Sequence, residues 1–291
     1  MSNNKKYDFI FLGLGQNIEK TIHSFFEFLE KLHHQSHYKK ICMIIGENGS
    51  LDNTKELLRT YKNDFFELIV VDTSLISKIK NRILRITQGR EMLKNFVARN
   101  KMFSTFVSVV DLDDVINLEI DIKNFCMAVK TLEENKDTLF AISSKSKPYY
   151  YDMLNLIIPN YYETDILSEL QKKIFNFYGV RKKNVYEPQM KITSMRDVDT
   201  ISSHNGLCVY LYDDYVASSY ISNYNDREES KYITPEHIVF NKLIHSKSKK
   251  FVRMTNLINL KTPYEHLPFR TFKSFFWIKL KLLIKKKLGS I

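Results

Sequence analysis

Cysteine is scarce in this 291-residue chain: Cys42, Cys126 and Cys208 stand far apart in apolar surroundings, with no Cys-x-x-Cys pair. That argues against a disulfide framework and for buried thiols in a reducing, cytoplasmic setting. Eight glycines and six prolines leave no room for long flexible linkers or collagen-like stretches. No run is apolar enough to span a bilayer. Met1–Lys6 is polar and the apolar run Phe9–Leu14 is short, so no signal peptide is expected. Acidic residues are outnumbered, 33 against 44 Lys and Arg, giving a net charge of +11. Such an excess reflects either an anionic partner or a lysine-rich composition. Its concentration near the C-terminus favours a surface-binding tail.

What is present reads as alternating strands and helices. Tyr7–Leu12 is a strand closed by a tight Gly13-Leu14-Gly15 turn. Ile18, Ile22, Phe25, Phe26, Leu29 and Leu32 then recur at helical spacing. Lys40–Ile45 is a second strand. Asn53 and Glu56 form an expected capping box for the helix that follows. Phe65–Val71 is a third strand ending at Asp72, and the Arg-rich segment Arg90–Met102 is an expected helix before the strand Phe106–Val110. This order predicts an α/β fold with a mostly parallel central sheet and right-handed crossovers, whose ligands bind beyond the carboxyl ends of the strands. Asn117–Glu133 and Glu236–Ile244 read as helices, Thr138–Ile142 and Leu207–Leu211 as strands. Residues 150–200 show no clear period.

Two segments carry candidate chemistry. The strand at 106–110 runs into Asp111-Leu112-Asp113-Asp114. Carboxylates two apart at a sheet edge suit a hard divalent cation such as Mg2+ or Mn2+, which keeps positions open for phosphate oxygens. Glu47-Asn48-Gly49-Ser50-Leu51-Asp52-Asn53-Thr54 follows the second strand. Its glycine permits a sharp turn, and the next helix adds N-terminal amides, an arrangement suited to an anionic ligand.

Taken in order, these segments resemble the nucleotide-sugar-dependent glycosyltransferases of the GT-A fold, in particular the branch with fungal capsule-associated mannosyltransferases and bacterial relatives. The resemblance rests on the E-x-G-S-x-D-x-T turn at 47–54, on Gly89-Arg90 and Arg99-Asn100-Lys101, and on Asp111-x-Asp113. It extends to Tyr150-Tyr151-Asp152, to Ser203-His204-Asn205-Gly206-Leu207 with Asn205 where a glycine is usual, and to Pro235-Glu236-His237 with Pro235 in place of a cysteine. It covers about residues 7–260. It implies a Rossmann-like GT-A domain whose residues 1–115 bind the nucleotide-sugar and whose residues 116–262 bind the acceptor, followed by a tail at 263–291.

The resemblance also implies roles. Asp113 is expected to touch Mn2+ or Mg2+, and Asp111 the metal shell or the ribose, the ion bridging the donor diphosphate. Glu47 and Asp72 are candidates for base and ribose contacts. Arg90 and Arg99 are candidates for phosphate contacts. His237 is expected to complete the metal site, and Glu236 to do so or to act as general base. Asp152 is expected to orient acceptor hydroxyls, and His204 stands beside the Gly-Leu strand where it can face the cleft. Residues 269–288 mix Phe, Trp, Ile and Leu with lysines. As a helix, Phe269, Phe272, Phe276, Leu280 and Leu283 share one face, the pattern of a basic amphipathic helix lying on anionic lipid. The expectation is a peripheral, cytoplasmic-face glycosyltransferase acting on a glycan or glycolipid acceptor such as lipopolysaccharide or capsule. A nucleic-acid-binding protein and a nucleotidyltransferase are the rivals. The first lacks a recognition signature, and the second lacks a Lys-bearing phosphate loop after the first strand.

Overall fold

Gly13 and Gly15 lie inside a strand rather than in a tight turn. In the computed structural model, which describes residues 6–113, 120–163, 177–221, 234–263, 266–267, 273–274, 276–277 and 280, β1 spans Lys6–Gly15. It is hydrogen-bonded on both sides, to β2 (Ile41–Glu47) and β4 (Phe103–Asp111), and the β2 ladder runs through Gly15. These two ladders override the turn propensity of the glycines. Gly13 serves packing instead, since a Cβ there would lie 2.6 Å from Leu112 Cδ1.

The eight-stranded sheet has the order β3-β2-β1-β4-β9-β5-β10-β8. Its other members are β3 (Glu67–Asp72), β5 (Leu139–Lys147), β8 (Val198–Thr200), β9 (Leu207–Leu211) and β10 (Phe251–Lys261). Six strands run the same way and only β8 and β9 oppose them, which gives the expected mostly parallel α/β sheet. A separate hairpin pairs β6 (Ile157–Ile158) with β7 (Tyr162–Glu163). β10 has no counterpart among the expected elements. Its register against β5 jumps between Met254 and Asn259, which breaks the alternation that marks a strand.

Helices cover both faces. On one, α1 (Ile22–Gln35) and α4 (Ile122–Glu134) bury Phe25, Phe28, Leu29 and Phe125 against Phe9, Phe11 and Phe106. On the other, α3 (Arg82–Arg99) packs Leu93 and Val97 against Ile10, Leu12 and Val107. Alternation along β1 sends successive side chains to opposite faces. The short α2 (Thr54–Thr60) lacks the expected capping box: Asn53 makes no side-chain cap, and Asp52 Oδ1 instead accepts from the Thr54 amide at 3.1 Å. Glu56 pairs with Arg59. α3 begins eight residues before the expected start, because the Asn81 side chain accepts from the Ile83 and Leu84 amides at 3.0 and 3.2 Å. Arg90 therefore sits in mid-helix.

The aperiodic stretch contains α5 (Phe177–Arg181), a π-turn at Lys182–Tyr186 and α6 (Glu187–Ser194). Lys145 Nζ, buried, donates to the Thr193 and Met195 carbonyls at the end of α6, at 3.2 and 2.5 Å. α7 (Tyr212–Val216) and α8 (Glu236–Ser248) follow. Asp114 and most of the expected tail helix lie outside the described residues. Among those described, no helix is long and apolar enough to cross a membrane. Phe276 and Trp277 are 53 % and 51 % exposed.

Candidate functional site

Asp111 is the last residue of β4, one bond beyond the register pair Val110–Leu207, and its amide donates to the Gly206 carbonyl at 2.8 Å. β9 runs antiparallel to β4, so the carboxyl end of β4 meets the loop that opens β9. This brings Ser203–Gly206 beside the Asp run. Leu112 buries its side chain over Gly13, and its carbonyl accepts from the Thr21 hydroxyl at 2.7 Å. Held at both ends, the run leaves Asp111 part-exposed and Asp113 exposed.

Arg90 occupies the centre of the cluster. It is 7 % exposed; its Nη2 donates to Asp111 Oδ1 at 2.7 Å and its Nε to Glu236 Oε1 at 3.2 Å. The guanidinium expected at a phosphate thus joins two carboxylates that stand 21 and 146 residues away in sequence. Burial disfavours its charge, but Asp111 and Glu236 outweigh burial and keep it protonated. Burial likewise pushes the Asp111 carboxyl up, while His204 and Arg90 hold it well below the usual carboxylate range.

His204 Nε2 lies 3.5 Å from Asp111 Oδ1. The His204 ring stacks on His237 with centroids 3.7 Å apart and planes at 15°. His237 is fully buried; its Nε2 is 3.8 Å from Glu236 Oε1, and the Tyr220 ring stands edge-on at 5.8 Å. Burial, then His204 and Arg90, drive the His237 pKa well below its usual value, so this imidazole is neutral. His204, rather than His237, is the imidazole beside Asp111. No ring nitrogen of either histidine makes a hydrogen bond among the described residues.

On the far side, Tyr151 and Asp152 follow β5. Burial and the charges of Asp111, Asp152 and Asp113 all raise the Tyr151 hydroxyl pKa, which makes these three carboxylates its electrostatic neighbours. Burial also raises the Asp152 carboxyl, and Asp111 adds to it against the opposing effect of His204. Asp152 accepts from Asn155 Nδ2 at 3.0 Å and from the Asn205 amide at 3.2 Å.

Glu47 and Asp72 end adjacent strands and are register partners. Both shape turns. Glu47 accepts from the Gly49 and Ser50 amides at 3.1 and 2.5 Å, with Gly49 at φ +69° where a side chain is strained. Asp72 accepts from the Ser74 amide at 2.8 Å, and the Ser74 hydroxyl, then this amide, lower its pKa. The 47–54 turn is also tied to the loop after β1, through Asn17 to Ser50 Oγ and Ile18 to Thr54 Oγ1, each at 2.9 Å. Arg99 joins none of this. It is exposed at the last turn of α3, where that helix leads into the start of β4, so the strand's length separates it from Asp111. The sequence reading missed the bridging role of Arg90 and gave Asn205 no role; the signal for Asn205 was its departure from the usual glycine.

Among the described residues no three His, Cys, Asp or Glu side chains converge as a ready metal cage. A cation here would take oxygens from a bound phosphate and water as well as from protein, the usual state of Mg2+.

No protein-family model matches the chain, and no curated protein matches it. Solved structures are similar to it at low identity. One is S. aureus TarS 1-349, with 14 % identity over 89 % of this chain and 61 % of that one, TM-score 0.44. Another is mannosyl-3-phosphoglycerate synthase from Rubrobacter xylanophilus, with 9 % identity over 98 % and 76 %, TM-score 0.48. A third is the mannosyltransferase PcManGT from Pyrobaculum calidifontis in complex with GDP-Man and Mn2+, with 13 % identity over 93 % and 60 %, TM-score 0.45. The chain thus spans less than two thirds of the length of the TarS structure.

Proposed function

We propose that this chain is a metal-dependent glycosyltransferase of the GT-A type that moves a sugar from a nucleotide-sugar to a cell-surface glycan or glycolipid. The observation that carries this reading is the gathering of Asp111, Asp113, Tyr151, Asp152 and His204 at the carboxyl end of β4, the edge where open parallel sheets bind ligands. The resemblance of the Asp111-x-Asp113 and 47–54 segments to such transferases points the same way.

The residues present fit Mn2+ or Mg2+. Asp113 offers an exposed hard carboxylate, and Asp111 beside it is kept ionised. One or two carboxylates with phosphate oxygens and water complete the shell of such an ion. Bound there, the ion supplies charge neutralisation for the departing nucleoside diphosphate. The chain's own residues do the remainder. Arg90 fixes Asp111 and screens it from Glu236. Glu236, tied to Arg90, holds that guanidinium in place. Asp152 is the better general base, because a carboxyl with a raised pKa gains more from accepting a proton near neutral pH. His237 supports His204 from behind. Glu47 and Asp72 shape the turns beside which the nucleoside would lie.

The exposed Phe276 and Trp277, with the lysines of 269–288, support docking of the tail on an anionic membrane surface, which would bring the enzyme to a lipid-linked acceptor on the cytoplasmic face.

The test is nucleotide release from a panel of UDP-, GDP- and CMP-sugars with Mn2+, beside Asp113→Ala and an EDTA control. Release from one donor, lost in both controls while the variant's Tm is unchanged, is the expected result. Absence of release together with absence of calorimetric binding of any nucleotide with Mn2+ would overturn the reading.

A further inference from the structure

Asn205 occupies a backbone position with φ +54°, immediately before Gly206 at φ +89°. Asparagine is among the few non-glycine residues that tolerate this region. The residue is nonetheless fully buried. Its carboxamide orientation follows from its neighbours rather than from choice. The Tyr151 and Asp152 amides both face Oδ1, at 3.2 and 3.3 Å, and an amide can only donate. The Ser146 hydroxyl lies 3.3 Å from the same oxygen. Flipping the group would set NH2 against two N–H donors, so the assignment is fixed. The backbone is engaged as well: the Asn205 amide donates to Asp152 Oδ2 at 3.2 Å, and its carbonyl accepts from Ser144 Oγ at 2.7 Å.

Every polar group of Asn205 is therefore accounted for except one. Nδ2, with two N–H donors, meets no acceptor among the described residues. A buried amide donor left unpaired costs more than the bond it forgoes, so an oxygen is the partner to seek. The candidates narrow by position. Asn205 stands on the β9 and β5 side of Asp111, whereas Glu47 and Asp72 stand on the β2 and β3 side. With a diphosphate at the end of β4, the sugar would extend toward Asn205 and Asp152.

We propose that Asn205 is a specificity-determining residue whose Nδ2 donates to a hydroxyl oxygen of the transferred sugar. This rests on the transferase reading above. A glycine at 205 would leave the backbone path intact but provide no such donor. Asn205 also ties Tyr151 and Asp152 to β9, so its structural and recognition roles must be separated.

Asn205→Asp retains the Oδ1 acceptor and tolerance of positive φ but replaces the donor with an acceptor. Asn205→Gly retains the backbone and removes the donor without adding charge. Each variant is titrated calorimetrically with every sugar nucleotide of the hydrolysis panel and with its matching bare nucleotide, in Mg2+. The expected result is about tenfold weaker binding of the sugar nucleotide in both variants, the worth of one hydrogen bond, with the bare nucleotide within about twofold of wild type. The Asn205 Nδ2 resonances, identified by their loss in Asn205→Asp, are expected to shift with the sugar nucleotide and not with the nucleotide. If Asn205→Gly does not fold, Asn205→Asp and the resonances decide. An unchanged ratio of the two affinities, with unmoved resonances, overturns the role of Asn205 and leaves the transferase reading intact. Binding of neither ligand by wild type overturns both.

Discussion

Replacing Arg90 with methionine keeps most of the side chain's volume and removes its charge. Asp111 and Glu236 then face each other without the cation that joins them, at 2.7 and 3.2 Å in the native protein. Arg90 and Glu236 are 8 % and 9 % exposed at the side chain and Asp111 28 %, so water can reach Asp111 but cannot replace the missing partner at Glu236 without opening the site. Removing one member of a buried ion pair costs about 3–5 kcal/mol, a large share of the ~5–15 kcal/mol by which a domain is stable. At about 2–4 °C per kcal/mol, thermal unfolding should fall by about 6–20 °C. The sign of the pH effect is fixed too. Without the guanidinium, burial raises the Asp111 carboxyl, which Arg90 no longer holds down. Such a group destabilises above the unfolded pKa, so Arg90→Met should recover stability as pH falls from 7 toward 5. Glu236→Gln in the same chain should recover at least half of the loss, because it removes one of the two stranded charges. Circular dichroism melts at the two pH values measure all of this. A Tm within 2 °C of wild type, or a loss that neither acid nor Glu236→Gln diminishes, would refute the account of Arg90 as a bridge.

Further outcomes follow from single contacts. His237 is neutral in the fold because burial lowers its pKa below 6.5; the unfolded chain binds the proton first, so stability is full above pH 6.5 and falls by about 1.4 kcal/mol per pH unit below it. Melts of His237→Gln between pH 7 and 5 should lack that part of the slope, and an equal slope would contradict it. Asp52→Ala should lose about 1 kcal/mol in urea unfolding and Asn53→Ala less than about 0.5, because the Asp52 carboxylate caps α2. Gly13→Ala sets a Cβ 2.6 Å from Leu112 Cδ1, so the Leu112 side chain, between Asp111 and Asp113, must shift. Donor hydrolysis should fall at least tenfold while the fold survives; an equal loss of both would argue that Gly13 serves stability alone.

The parallel half of the sheet was legible because β1, β2 and β4 each hold an apolar run, and the helix after β1 has a clear period. What escaped depends on partners distant along the chain. Nothing local marks Arg90 as a bridge, since its two carboxylates lie 21 and 146 residues away. Arg90 and Arg99 look alike in sequence, yet half of α3 separates a buried guanidinium from an exposed one. The ends of β2 and β3 were identified, but their carboxylates bind their own turns because Gly49 and Ser74 present amides two residues on. His204 could be placed near the site by its motif, whereas its stacking on His237 required both loops in three dimensions.

The position of β9 has a consequence for how the molecule is made. It is the strand that joins β4 to β5, yet it reaches the ribosome exit only after residues 112–206 have emerged. Until then β4, at the middle of the finished sheet, is a bare edge able to recruit any other extended chain. Early synthesis thus yields a nascent half-sheet with an open hydrogen-bonding margin, and its pairing waits on distant contacts, which fold slowly. A ribosome stall within that interval, or a truncation before Leu207, would leave an aggregation-prone fragment.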